Sequence, residues 1–172
     1  MFKKAERGKT INVAGYKLIC FPRVDGAVDV VAKDPVFRMQ FSKKNNNLAE
    51  SLILKKLQKE FLPKIAEAVG EENILEFETD LRTLDGLRPY ENLKSKVSIP
   101  TFDFVRDNVD VFDEHPVDDW WWTATPDSAK PHYNPTWVVC VSPFGFIYHN
   151  LYGNYSRGVR PFLRFASSIF DA

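Results

Sequence analysis

The sequence predicts an α+β domain, because helical spacing of apolar residues belongs to its first two thirds and short strands with Gly- and Pro-rich turns fill its last third. A third observation agrees: the chain opens with β-branched and aromatic runs around Gly15 and Asp25-Gly26, the pattern of antiparallel hairpins. With 172 residues and no linker or internal repeat, one domain spanning 1–172 is expected, large enough to bury a core without metals or disulfides.

In chain order, "TINVAGYKLICF" (10–21) and "AVDVVA" (27–32) predict an opening antiparallel pair bent at a glycine. Leu48, Leu52, Leu57, Phe61, Ile65 and Val69 then recur at largely helical spacing. The Asn45–Asn47 run supplies N-cap candidates, Pro63 breaks or restarts the helix, and Gly70 ends it. Asp85-Gly86 marks a turn and "KVSIP" (96–100) a short strand. "TFDFVRDNVDVF" (101–112), with Thr101 as cap and an acidic first turn, predicts a short helix. From Trp120 onward, "WWWTAT", "TWVVCVS", "FGFIYH" and "GVRPFLRF" read as strands, with Pro161 at an edge or bulge.

Composition excludes several classes. The 23 basic and 23 acidic side chains cancel, so no nucleic-acid partner is expected. No apolar run is long enough to span a bilayer, and the N-terminus lacks the apolar region and cleavage site of a signal peptide. A soluble protein made in the cytoplasm, without membrane insertion, is the expectation. Cys20 and Cys140 form no metal or redox motif and read as buried thiols. His115, His132 and His149 lack partners at ligand spacing, so neither a metal nor another cofactor is assigned. The acidic stretches Glu76–Asp80 and Asp113–Asp119 read first as solvated loops, and no nucleophile elbow, phosphate loop or dinucleotide fingerprint is present. The sequence offers an enzyme no positive signal; a hydrolase using the Asp113–Asp119 carboxylates is the only catalytic alternative retained.

The segments "DDWWWTATPDS", "WVVCVSPFGFIYH" and "SRGVRPFLRF", in that order, resemble an uncharacterised bacterial and phage family with a C-type-lectin-like fold. Its members carry a tryptophan-rich strand, a "V..dG.v" hairpin and a closing "GVRPAL" strand. The resemblance extends to the opening strand and the "NNNLAESLILKKLQKEF" helix. It implies a C-type-lectin-like fold with early helices and a C-terminal, hairpin-rich antiparallel sheet. The same architecture is used by variable proteins of diversity-generating retroelements, whose target codons become NNC and never encode Lys, Gln, Glu, Met or Trp. Residues 138–156 contain none of those five. Phe146, Tyr148, His149, Asn150, Leu151, Tyr152, Asn154 and Tyr155 are compatible with such codons, while Lys130 and Trp137 would be fixed positions. The chain lacks the EPN- or QPD-type tripeptide and the WND motif of calcium-dependent lectins, so sugar binding through calcium is not carried over. It also lacks the cysteine arrangement of formylglycine-generating enzymes, which share related architecture.

The resemblance implies a ligand-binding protein, encoded in a prophage, that presents an aromatic and polar surface to a protein or cell-surface target. Association with a virion would carry it out of the cell without a signal peptide. The composition of 123–156 suits recognition: Tyr and His offer rigid amphipathic contact area, and Ser, Asn and Gly supply adaptable polar contacts. Strand alternation with Val139, Val141 and Ile147 inward would place Phe146, Tyr148 and Asn150 outside together. His149, Tyr152 and Asn154 follow on the same exposed segment, and the loop "PDSAKPHYNP" would bring Asp127, Ser128, Lys130, His132, Tyr133 and Asn134 to the rim. Trp121 is assigned to the core, Trp137 is expected buried, and the orientation of Trp120 and Trp122 stays open. Arg160, flanked by apolar residues, is expected to tie loop carbonyls, pair with a carboxylate or stack on an indole. An intracellular interaction domain with one fixed partner is the alternative function. The sequence leaves ligand identity and oligomeric state open.

Overall fold

The residues flanking Ala14-Gly15 form the hairpin that their alternation predicts, β1 (Thr10–Val13) and β2 (Tyr16–Pro22), and β3 (Val28–Ala32) continues it as a meander. The structure, a computed structural model, describes residues 1–130, 135–152 and 155–171, with backbone only at 149–152. Ala14 and Gly15 both take positive φ, 49° and 83°, as a two-residue primed turn requires. The chain then forms β4 (Phe37–Met39) before entering the helical region.

That region begins later than the Asn run suggested. Asn47 caps a single 3₁₀ turn (Leu48–Glu50), and Ser51, whose hydroxyl accepts from the Leu54 amide at 3.0 Å, starts α1 (Leu52–Lys56). One turn of π-helix (Leu57–Phe61) follows, then α2 (Leu62–Val69), closed by Gly70. Pro63 explains the π turn: it lacks an amide proton, and its ring would meet the carbonyl four residues back in an unbroken α-helix. Bonding Leu62 to Leu57 five residues back absorbs the misfit without stopping the helix. Ile53, Leu54, Leu57, Phe61 and Ile65 form its buried face, each side chain contributing about 1.5–3 kcal/mol of burial.

Two short strands, β5 (Phe77–Thr79) and β6 (Leu93–Ser95), pair with each other. The expected strand at "KVSIP" is corrected to an isolated bridge from Ser98 to Phe162, with β6 lying just before it. Thr101 caps α3 (Phe102–Asp107), accepting from the Phe104 amide at 3.1 Å, and α4 (Val109–Glu114) follows after Asn108. The C-terminal strands are β7 (Trp121–Pro126), β8 (Trp137–Val141), β9 (Ile147–Tyr152), β10 (Arg157–Val159) and β11 (Phe162–Phe165). "GVRPFLRF" is therefore two strands, and they belong to different sheets. Among the described residues the sheet orders are β1-β2-β3-β11, β4-β10-β7-β8-β9 and β5-β6. Pro161 cannot donate to a ladder and stands at the transfer between the first two.

The fold is mixed α and β with strands predominating, as the α+β class requires. Its central strands β2, β3, β7 and β8 are covered on both faces. Leu18, Cys20, Val30, Trp122, Ala124, Cys140, Leu163 and Phe165 pack with the α1–α2 side chains, whereas Ile19, Phe21, Val31, Trp121, Val141 and Phe162 pack with Val105, Val111 and Phe112 of α3 and α4. Near-continuous apolar runs such as "LICF" and "VVCV" follow from this, since alternate residues enter different cores. Trp121 is buried as expected, and Trp122 is buried too, on the opposite side, with its indole nitrogen donating to the Met39 carbonyl at 3.0 Å. Register shifts in β7 and β8 are stabilised by the Thr123 hydroxyl, which donates to the Val139 carbonyl at 2.7 Å. Among the described residues no helix is long and apolar enough to cross a membrane.

Candidate functional site

The β8–β9 hairpin and the edge of its sheet form the candidate ligand face. The turn Ser142–Phe146 closes through hydrogen bonds from the Gly145 amide to the Ser142 carbonyl and from the Ser142 amide to the Phe146 carbonyl, both 2.9 Å. Gly145 takes φ of 79°, a conformation that favours glycine. The Ser142 hydroxyl accepts from the Phe146 amide at 3.2 Å, which sets the exit direction of β9. Beyond this turn the side chains are open to solvent: Phe144 is 85% exposed, Phe146 65% and Tyr148 42%.

These rings have neighbours from other elements. Tyr148 meets Trp120 edge to face, centroids 4.8 Å apart, and the Arg157 guanidinium lies 5.2 Å from the Trp120 ring and 5.4 Å from that of Tyr155. Tyr155 is itself 54% exposed. Because Tyr148 pairs in register with Cys140, this cluster lies on the α1–α2 face of the sheet. It joins rigid aromatic area to a planar cation, a combination suited to protein recognition. Trp120, Tyr155 and Arg157 were not singled out by the sequence as one site; three elements separated along the chain bring them together.

Phe146 and Tyr148 are exposed as expected. Ile147 was expected inward and is instead 38% exposed, because β9 is the edge strand of its sheet and extends past the helical cover. His149, Asn150 and Tyr152 lie on the backbone of β9, with Tyr152 in register with Trp137. His132, Tyr133, Asn134 and Asn154 lie outside the described residues. Lys130 is exposed, and its ammonium is 3.3 Å from Asp85. Trp137 is half-buried.

Asp127 and Ser128 correct the expectation for the loop: both are buried. The Ser128 hydroxyl donates to Asp85 Oδ2 at 2.7 Å, and its carbonyl accepts from Asn46 Nδ2 at 3.2 Å. Asn46 also donates to the Trp137 carbonyl at 2.9 Å and accepts from the Tyr90 hydroxyl at 2.6 Å. The loop root is thus pinned by a buried polar network. Thr83, Ser128 and Lys130 together hold the Asp85 carboxyl down at about 2, with the Thr83 hydrogen bond the largest cause.

Other candidate chemistry is occupied or dispersed. A cleft of about 650 Å³ between β5, α3 and β11 is lined by four arginines, each paired with a carboxylate: Arg23 and Arg164 on Asp29, Arg82 and Arg106 on Asp103. In the acidic stretch 113–119, Asp113 lines one depression and Asp118 and Asp119 another, with Asp119 bound to Arg38 at 2.6 Å. Cys20 and Cys140 are free and buried, and burial pushes their thiols up to about 11 and about 12, far from thiolate chemistry at neutral pH. Among the described residues no group of three or more His, Cys, Asp or Glu is placed to hold a metal ion. Comparison with protein-family models, curated protein sequences and solved structures finds no match to this chain.

Proposed function

We infer that the protein is a C-type-lectin-like ligand-binding domain whose β8–β9 hairpin and adjoining loop meet a protein or cell-surface target, on a surface diversified by a retroelement. The observation that carries this reading is the concentration of exposed Phe144, Phe146, Tyr148 and Tyr155 at one sheet edge, in a chain whose other aromatics are largely buried. An exposed cluster of this kind favours binding over stability, since the part of each ring left open to solvent contributes no burial energy until a partner covers it. Asn46 and Asp85 hold the loop root, and exchange at Phe146, which is 65% exposed, alters the contact surface without touching the core. The reading involves no catalysis, metal or cofactor.

The nucleotide sequence of the 3′ part of the gene and its flanks tests this. The expected result is NNC codons at Phe146, Tyr148, His149, Asn150, Tyr152 and Asn154 and a nearby copy that differs almost only at adenines. Ordinary codon use with no such copy would leave a fixed interaction surface, the reading of a domain with one constant partner, and end the claim of diversification.

A further inference from the structure

The opposite face of the same sheet carries a second concavity. A pocket of about 420 Å³ opens between α4 and the β8–β9 turn, walled by Val105, Val109, Trp121 and Val141, with Phe144 at its edge. Trp121 and Val141 belong to the α3–α4 core, so this pocket is separated by the sheet from the Tyr148 cluster. Its polar lining includes Arg160, which is 1% exposed.

Arg160 is incompletely satisfied. Its Nε donates to the Ala32 carbonyl at 2.9 Å, and its guanidinium carbon lies 4.6 Å from the Trp121 ring and 5.0 Å from that of Phe112. Nη2 is buried without a hydrogen-bond partner. Burial pulls the guanidinium down to about 9, still cationic at neutral pH, and Asp34 opposes this only through its field. Aromatic faces offset part of the cost of burying a cation, yet a guanidinium presents a planar fork that they do not saturate.

We propose that this pocket binds a monocarboxylate bearing an aromatic or branched apolar group, with its carboxylate on Arg160 and its apolar body against Val105, Val109 and Trp121. A carboxylate matches the fork geometrically, where a neutral amide supplies one acceptor and no charge. The volume suits a body the size of one large amino acid. Asp113 at the lining disfavours a second negative charge, which favours a monocarboxylate over phosphate esters and dicarboxylates. The same chemistry is offered by a small free acid and by the C-terminal residue of a peptide.

Titration of the whole chain with N-acetylphenylalanine, its amide, and Gly-Gly-Phe with a free or amidated C-terminus tests the proposal, followed by calorimetry and by tryptophan fluorescence. Saturable binding of the acid is expected, with the amide weaker by at least about tenfold. Arg160→Gln should erase the difference between acid and amide. Val109→Trp, at an exposed position on the pocket wall, should block both and keeps the test decisive if the Arg160 variant does not fold. Binding of free-acid Gly-Gly-Phe would mark a peptide C-terminus as a ligand, and binding of N-acetylphenylalanine alone would mark small acids. Equal binding of acid and amide, or no saturable binding of either acid, would overturn the proposal.

Discussion

Gly158 sits where β10 meets β7, its amide donating to the Trp120 carbonyl at 2.6 Å. A Cβ there would stand 2.8 Å from Pro35 Cγ and 3.0 Å from the Trp120 carbonyl oxygen. Gly158→Ala should therefore lower stability by about 1–3 kcal/mol, measured by denaturant melting; an unchanged midpoint would mean that Pro35 moves aside. Asp85 makes a pH prediction. Its folded pKa, about 2, lies below the ordinary 3.8, so its stabilisation is complete above about pH 4 and fades as pH falls through about 2. Asp85→Asn should cost about 1 kcal/mol at pH 7, a modest figure because the carboxylate is partly solvated, and the deficit should vanish in acid unfolding near pH 2. A deficit independent of pH would assign the effect to shape instead of charge. The turn at Asp85 is legible in the sequence, but the contacts of Gly158 with Pro35 and of Asp85 with Ser128 are not, because those partners arrive only through folding.

Capping and turn chemistry were legible at the scale of elements because they act within a few residues. Thr101 announces α3 by a hydroxyl that reaches the Phe104 amide, and Thr101→Ala should remove about 1 kcal/mol with a matching fall in thermal midpoint. Gly70 ends the helix where expected, and Gly145 turns the chain between β8 and β9. Pro63 was legible as an interruption, but its resolution as a π turn was not, since burial of Leu57, Phe61 and Ile65 on one face keeps the helix running. The strand at "KVSIP" failed for a related reason: Ser98 finds its partner at Phe162, far along the chain, and bridges only once. "GVRPFLRF" has one apolar pattern and serves two sheets, a division set by which neighbouring strands are available on either side of Pro161.

The two cores share their strands, which makes the whole molecule one cooperative unit by expectation. Leu57→Ala, on the α1–α2 side, should cost about 3 kcal/mol while tryptophan fluorescence and far-UV circular dichroism still report one transition. Two separated transitions would mean that the α3–α4 side holds without the other. Shared strands also explain the candidate site: β7 and β8 are largely buried on both faces, so the exposed aromatic side chains of this sheet fall on the edge strand β9, its turn and the approach to β10.

By itself the sequence determined the α+β class, the opening hairpin, the capped helices, the burial of Trp121 and the exposure of Phe146 and Tyr148, because periodicity, capping and turn residues act locally. Only tertiary structure decided that Trp122 is buried opposite Trp121, that Ile147 faces solvent, and that Asp127 and Ser128 serve the loop root. It also decided that Arg160 lies between Trp121 and Phe112 with a donor unpaired. Those outcomes depend on which elements cover each face of a strand, a property of partners distant along the chain that no local pattern encodes.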